Sequence, residues 1–187
     1  APQAPVSLSS PIVVASGLPG GWDGRATVVD IDGDSVNDIV VSTPGGGIWW
    51  IAGDNLAAPI MHAVVTGGAI NMHSVADLDG DLDMDIATVS SAGTGWPGSC
   101  CGGEVRIYWN DGSGSFTFSQ ISTAVNGGTG IGIGDISGDG LPDLVWSWRE
   151  FGNPSIRYAL NVGGGNFAAP VPVGYVPEAH DLQLSDL

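Results

Sequence analysis

The sequence predicts an all-β fold made of β-propeller blades, each with four antiparallel strands, arranged as three complete repeats plus half-units at both ends. Two observations predict it. First, 31 Gly and 12 Pro residues separate short stretches rich in Val, Ile, Thr and Trp, which is typical of short strands joined by tight turns. Second, one Asp-rich segment recurs about every 50 residues, a period that accommodates one four-stranded blade. We expect residues 1–187 to form a single domain that is part of a larger propeller or assembly.

The Asp-rich segment occurs three times, as DIDGDSVND, DLDGDLDMD and DISGDGLPD at residues 30–38, 77–85 and 135–143. We call these loop 1, loop 2 and loop 3. Gly takes the fourth position in all three, as a sharply turned backbone prefers. A truncated fourth copy starts at Asp186. Regular recurrence of one loop predicts a repeat architecture in which each loop belongs to one blade.

Short apolar stretches around each loop predict the four strands of a blade. One strand follows the loop, at 39–41, 86–88 and 144–146. A variable connection leads to a second strand at 48–52, 105–109 and 156–160. A turn then leads to a third near 59–65, 116–122 and 170–173, and a fourth returns to the next loop at 27–29, 73–76 and 130–134. Residues 11–14 and 170–173 both resemble the stretch at 59–62, which predicts the terminal half-units.

The alternation of oxygen-bearing residues predicts a cation site in each loop. A hard cation such as Ca²⁺ takes six to eight oxygen ligands from carboxylates, carbonyls and water. Positions 1, 3, 5 and 9 of each loop supply side-chain oxygens, and position 7 supplies a backbone carbonyl. The expected ligands are Asp30, Asp32, Asp34, Val36 and Asp38 in loop 1, Asp77, Asp79, Asp81, Asp83 and Asp85 in loop 2, and Asp135, Ser137, Asp139, Leu141 and Asp143 in loop 3.

Two alternatives to a calcium loop of this type fit less well. An EF-hand loop needs Glu at position 12 and a helix after it, whereas these loops carry Val41, Thr88 and Trp146 there and are followed by strands. Mg²⁺ prefers few protein ligands and retains its waters. A metal-free turn is the remaining alternative, but the crowded carboxylates would then repel one another. Loop 3, with Ser137 in place of a carboxylate, is expected to hold its ion most weakly.

These loops, together with GSF at 114–116 and GNFAAP at 165–170, resemble the VCBS/FG-GAP repeats, which form the propellers of integrin α-subunits and of many bacterial secreted proteins. The resemblance covers nearly the whole chain. It implies a seven- or eight-bladed propeller with calcium in a loop of each such blade, held by the positions given above. The sequence departs from the family at Ser35 and Leu82, where the family favours Gly, at Ser137, where it favours Asp or Asn, and in the number of blades.

Charge excludes several classes of partner. There are 20 acidic residues against 4 basic ones, a net charge of −16, so nucleic acid is a poor partner because phosphate binding needs clustered Lys and Arg. No apolar run approaches the roughly 20 residues of a membrane span, and we expect no membrane insertion. The small, polar segment at residues 1–5 is interpreted as the start of a processed mature chain or as a linker. We expect the protein to be secreted, extracellular or at the cell surface.

Aromatic and cysteine residues supply further candidates. Exposed Trp side chains suit sugar rings, and Trp22, Trp49 and Trp96 are the candidate ligand-binding aromatics, whereas Trp109, Trp146 and Trp148 are expected to fill space between blades. A vicinal disulfide is expected between Cys100 and Cys101, although their Cα atoms, about 3.8 Å apart, are closer than in ordinary disulfides. An interchain bridge and two free thiols are the alternatives.

Arg106 and Arg157 occupy equivalent positions in two repeats, which favours a structural or surface role. His73 and His180 are expected at the surface rather than as zinc ligands. No Ser/His/Asp order, phosphate loop or metal–His motif is present, so we do not expect an enzyme.

Three functions fit the sequence. The first is a secreted, calcium-stabilised β-propeller module for adhesion or for binding a glycan or protein ligand. The second is a structural subunit of an extracellular fibre or surface layer, in which copies pair head to tail. The third is an accessory domain of a secreted polysaccharide-acting enzyme.

Overall fold

The computed structural model describes residues 24–91, 103–125, 127–150 and 153–175, together with the single residues 18 and 182. Within this part of the chain the fold is all-β, with three four-stranded antiparallel sheets. Sheet 1 contains β1 (Arg25–Val29), β2 (Asp38–Thr43), β3 (Gly47–Ile51) and β4 (Met61–Thr66). Sheet 2 contains β5 (Ile70–Ala76), β6 (Asp85–Ser90), β7 (Gly103–Asn110) and β8 (Phe116–Val125). Sheet 3 contains β9 (Gly128–Gly134), β10 (Asp143–Glu150), β11 (Asn153–Ala159) and β14 (Val171–Tyr175).

Each sheet is a meander in which consecutive strands pair in sequence order. The small hairpin of β12 (Asn161–Gly163) and β13 (Asn166–Phe167) interrupts this order in sheet 3, between β11 and β14. A single turn of 3₁₀-helix at Gly53–Asn55 follows β3. In the described residues no helix is long and apolar enough to cross a membrane.

Every loop lies inside a sheet, as the connection between its first and second strands. Loop 1 joins β1 to β2, loop 2 joins β5 to β6, and loop 3 joins β9 to β10. The pairing of Val29 with Asp38, Ala76 with Asp85 and Gly134 with Asp143 closes each loop at its base. The sequence placed these strands correctly, because alternating apolar residues bounded by Gly and Asp are a strong signal for short strands.

The sheets pack on one another through two apolar cores. The core between sheets 1 and 2 includes Val40, Ile48, Trp50 and Ile86. The core between sheets 2 and 3 is larger and includes Ala87, Val89, Val105, Ile107, Leu144, Trp146 and Trp148. The first strand of a sheet lies against the first two strands of the preceding sheet. Successive sheets therefore stack in chain order, and the loops follow one another along one side of the stack.

One boundary differs from the sequence prediction. Residues 170–173, which we assigned to a terminal half-unit, fall mainly within β14 and complete sheet 3 by pairing with β11. The reason is that the strand before each loop belongs to the same sheet as the strands after it, so each sheet begins one strand earlier than the motif suggests. The predicted half-unit at 11–14 and the truncated loop at Asp186 lie outside the described residues.

Candidate metal centres between the sheets

The three loops adopt one backbone conformation that only some residues tolerate. The fourth position is left-handed in each loop, with φ of 76°, 88° and 78° at Gly33, Gly80 and Gly138. The sixth position is also left-handed, with φ of 70° at Ser35, 78° at Leu82 and 87° at Gly140. An L-residue is strained there by about 1–2 kcal/mol. Ser35 and Leu82 carry this strain, yet their loops keep the same conformation as loop 3, which has Gly at this position.

Three carboxylates converge in each of the first two loops. Asp30, Asp32 and Asp38 each offer an oxygen within 4.8 Å of the others, and Asp77, Asp79 and Asp85 do the same in loop 2. Like charges this close repel in a partly buried site, and hard oxygen donors are the ligands that divalent cations such as Ca²⁺ prefer. The donor set therefore fits a hard metal ion, and these residues could hold one.

The carboxylate at position 9 also organises the loop without any metal. Asp38 is fully buried, and its two oxygens accept hydrogen bonds from the backbone N–H of Ile31 (2.8 Å) and of Gly53 (2.8 Å). Asp85 and Asp143 repeat this arrangement in loops 2 and 3. Each carboxylate thus ties the second loop position to the end of the second strand after it. Since each oxygen has two lone pairs, the same group can also face a cation.

The carboxylate at position 1 has a similar local role. Asp30 accepts hydrogen bonds from the backbone N–H of Gly33 (2.9 Å) and Ser35 (2.9 Å), and Asp77 and Asp135 do so in their loops. These bonds hold positions 4 and 6 in their left-handed conformation. The loop is therefore preorganised by its own carboxylates.

Burial and the repulsion of neighbouring carboxylates raise the pKa of Asp32 in loop 1 and of Asp79 and Asp85 in loop 2. Burial, followed in effect by the charge of Asp38, raises the pKa of Asp32, and burial also raises the pKa of Asp79. Burial raises the pKa of Asp85 to about 6, against the opposing effect of its backbone hydrogen bonds. In loop 3 the backbone hydrogen bond from Gly140 instead lowers the pKa of Asp135. Loops 1 and 2 thus concentrate negative charge that a cation would relieve, whereas loop 3 does so less.

Not every expected ligand joins the converging group. Asp34, Asp81 and Asp139, at position 5, each accept the backbone N–H of position 7 in their own loop, at 2.7, 2.9 and 2.9 Å. The backbone carbonyls at position 7, those of Val36, Asp83 and Leu141, stay predicted ligands. In loop 3, Ser137 leaves two carboxylates at the converging positions, Asp135 and Asp143, and the Ser137 hydroxyl donates to Asp135 at 3.4 Å. Loop 3 therefore has the poorest set of charged oxygens.

Two asparagines that were not predicted from the sequence join loops 1 and 2 to the sheet that follows each of them. The side-chain N–H₂ group of Asn110, at the end of β7, donates to the carbonyl of Ile31 in loop 1 (2.7 Å). Asn161 donates in the same way to the carbonyl of Leu78 in loop 2 (2.8 Å). Both asparagines also donate a backbone N–H to the position-9 Asp of their own loop. The signal in the sequence was an Asn closing the second strand in two repeats, just before a Gly-rich turn.

Gly-rich turns of one sheet also lie over the loop of the preceding sheet. A Cβ on Gly33 would stand 3.2 Å from the carbonyl oxygen of Gly112, and a Cβ on Gly165 would stand 3.2 Å from Cβ of Asp79. Loops 1 and 2 are consequently covered by sheets 2 and 3. The candidate metal centres therefore lie where successive sheets meet.

The remaining candidates fall into three groups. Trp49 is half-buried and donates to the carbonyl of Gly46 (3.3 Å), whereas its neighbour Trp50 is buried and stacks on His62. Trp109, Trp146 and Trp148 pack in the core between sheets 2 and 3, as expected. Trp22, Trp96, Cys100, Cys101 and His180 lie outside the described residues.

The expectation that His73 lies at the surface is wrong. Its imidazole is fully buried between sheets 1 and 2, at 3.0 Å from the hydroxyl of Thr27 and 2.8 Å from that of Ser42. Burial lowers its pKa to about 4, so the ring is neutral and joins the two sheets. Its hydroxyl partners belong to the preceding repeat, which is why the local sequence gave no sign of this role.

Comparison with known proteins agrees with this architecture. Residues 93–146 match the family model of the FG-GAP-like repeat. No curated protein matches the sequence. The fold is similar to that of a lectin from Agrocybe aegerita whose structure concerns the specific recognition of non-reducing terminal N-acetylglucosamine, with a TM-score of 0.51 and 20% identity over 80% of this chain. The chain spans 38% of the length of that lectin. The chain thus carries an FG-GAP-like repeat at residues 93–146, consistent with the FG-GAP/VCBS repeat family.

Proposed function

We propose that the protein is a secreted, calcium-stabilised β-propeller module that binds an extracellular glycan or protein ligand. The observation that carries this proposal is the recurrence of converging carboxylates at the contacts between successive sheets. A cation there would neutralise repulsion within a loop that also touches the following sheet, so it would stabilise the whole stack. Extracellular calcium is abundant enough to occupy sites of modest affinity.

The similarity to a lectin fold supports the binding part of the proposal. The three sheets, stacked in chain order, are the units from which a closed propeller would be built. Repeat architectures build extended binding surfaces from successive units. The acidic surface disfavours anionic ligands, so we favour a neutral glycan.

Two measurements on one preparation test this function. Melting temperature is measured in EDTA and in about 2 mM Ca²⁺, a level typical outside cells. At the Kd values of about 10⁻⁴–10⁻³ M found in extracellular modules, this concentration adds roughly 0.6–1.8 kcal/mol per filled site, and in a chain of this size each kcal/mol is worth about 2–4 °C. With loops 1 and 2 filled, we expect the melting temperature to rise by about 3–14 °C, together with binding to a subset of glycans on an array. An unchanged melting temperature would contradict the calcium role, and an array without signal would contradict glycan binding.

One observation favours a second candidate, the structural subunit. Ile31 and Leu78, at the second positions of loops 1 and 2, are 1% exposed because a following sheet covers them, whereas Ile136 of loop 3 is 46% exposed. A further sheet could cover loop 3 in the same manner. In sheet 1, Gly53 occupies the position that Asn110 and Asn161 occupy in sheets 2 and 3, and a side chain there would clash with the carbonyl of Asn37. Sheet 1 of a second copy would therefore cover loop 3 without the asparagine hydrogen bond. Sedimentation that depends on concentration would support head-to-tail assembly; a single species at all concentrations would contradict it.

A further inference from the structure

A polar pocket lies between sheets 1 and 2, away from the Asp loops. Its volume is about 360 Å³, and it is lined by the connection from β4 to β5 and by side chains of β6 and β7. Ile70, Thr88 and Tyr108 are buried at its base, and Glu104 and Arg106 are half-buried at its side. Ligand pockets in proteins span about 300–1,000 Å³. This one falls at the lower end, which suits a ligand of one or two sugar rings.

The pocket exists because two small residues occupy positions that carry Trp in the next sheet. Thr88 and Ser90 lie three and five residues after Asp85, and Trp146 and Trp148 lie three and five residues after Asp143. The side chains of all four residues face the preceding sheet. Thr88 lies opposite Arg106 on the neighbouring strand, and Trp146 lies opposite Arg157 in the same way. Between sheets 2 and 3 the two indole rings fill the space as part of the apolar core. Between sheets 1 and 2 the hydroxyl residues leave it open.

A charged pair of fixed geometry gives the pocket its chemistry. The Nε–H group of Arg106 donates to the carboxylate of Glu104, and its guanidinium carbon lies 4.7 Å from the ring centre of Phe118. Ser90 in turn holds the Glu104 backbone, accepting from its N–H at 3.0 Å and donating to its carbonyl at 3.3 Å. The pair is therefore preorganised, which reduces the entropy lost on binding.

This lining selects a neutral, hydroxylated ligand. One anion beside one cation gives no net charge, so a charged ligand would meet a like charge at contact distance. A sugar hydroxyl both donates and accepts, so adjacent hydroxyls can donate to Glu104 and accept from Arg106 at once. The C–H faces of a sugar ring can pack on the apolar surface of Val65 and Ile70.

We propose that the pocket between sheets 1 and 2 binds the terminal residue of a neutral glycan, with Glu104 and Arg106 bonding its hydroxyl groups. This inference rests on the proposed glycan-binding function and adds its site. It also gives a role to a difference between the repeats, since Thr88 and Ser90 of sheet 2 occupy the positions that Trp146 and Trp148 occupy in sheet 3.

The test compares variants that close the pocket with one that leaves it open. N-acetylglucosamine, glucose and the anionic N-acetylneuraminic acid serve as probes in calorimetric titrations and saturation-transfer NMR, with Ca²⁺ present. Ser90→Trp reproduces the residue found at the equivalent position in sheet 3, and we expect it to weaken binding of the neutral sugars at least tenfold. Glu104→Gln preserves shape, removes one charge and should weaken binding at least fivefold. Thr117→Trp, on the exposed part of β8, should leave binding unchanged.

Melting temperature and calcium binding report whether each variant is folded. Neutral-sugar binding that is equally strong in the wild type and in both pocket variants would place the glycan site elsewhere while leaving the glycan-binding function intact. Wild-type protein that binds none of the neutral sugars would overturn the pocket assignment, and a glycan array without signal would separately overturn the function. Tighter binding of the anionic sugar than of the neutral ones would contradict the argument from charge.

Discussion

Replacing Asn161 by Ala should destabilise the protein strongly, because this side chain joins sheet 3 to loop 2. Asn161 is 2% exposed. Its N–H₂ group donates to the carbonyls of Leu78 (2.8 Å) and Pro142 (3.2 Å), and its side-chain oxygen accepts from the backbone N–H of Gly163 (2.9 Å). A buried polar group left without a partner costs about 1–3 kcal/mol. The variant leaves the buried Leu78 carbonyl without this hydrogen bond and also removes the bonds to Pro142 and Gly163. We therefore expect the free energy of unfolding to fall by about 2–4 kcal/mol.

Urea denaturation followed by Trp fluorescence, in buffer containing Ca²⁺, measures this loss as a lower midpoint at unchanged slope. Asn166→Ala is the matched control, because Asn166 lies in the same Gly-rich turn but is exposed and bonds only to the carbonyls of Gly163 and Gly164. We expect it to change stability by less than about 0.5 kcal/mol. If both variants lose the same small amount, the asparagine ties do not hold the sheets together and the reasoning is refuted.

Three further variants probe the loops and the buried histidine. Leu82→Gly should raise the free energy of unfolding by about 0.5–1 kcal/mol, since it relieves left-handed strain at an 84% exposed position; equal or lower stability in urea would contradict this. Ser137→Asp should tighten calcium binding at loop 3 about tenfold or more, because it restores a carboxylate ligand; calorimetry that finds the weakest site unchanged would contradict it. Because the folded pKa of His73 lies near 4 and the ordinary value is 6.5, only the unfolded chain takes up this proton as pH falls from 6.5 to 4. Wild-type stability should therefore drop by about 3 kcal/mol more than that of His73→Gln over this range, and parallel pH profiles would exclude the effect.

The strands and loops could be predicted because their signals are local. Alternating apolar residues between Gly and Asp clusters define each strand, and the recurring Asp residues define each loop. The left-handed sixth position was visible as the departures at Ser35 and Leu82 from a Gly preference. These features depend only on residues that are close together in the chain, so they could be predicted from a single sequence.

Contacts between repeats could not be predicted in the same way. His73 is buried by hydroxyls 31 and 46 residues away, and Asn161 acts on a carbonyl 83 residues away. The pocket depends on which side chains face the preceding sheet, a question of packing rather than of motif. Aligning the repeats does show Thr88 and Ser90 against Trp146 and Trp148, but the open space becomes evident only once the sheets are stacked.

The most direct test of the central claim is a calorimetric titration of Ca²⁺ into chelator-treated protein. We expect two ions to bind in loops 1 and 2, a third to bind more weakly in loop 3, and Asp79→Asn, in the converging group of loop 2, to weaken one of the two tighter sites. Protein that takes up no Ca²⁺ in this titration would contradict the claim that the converging carboxylates between the sheets are metal centres.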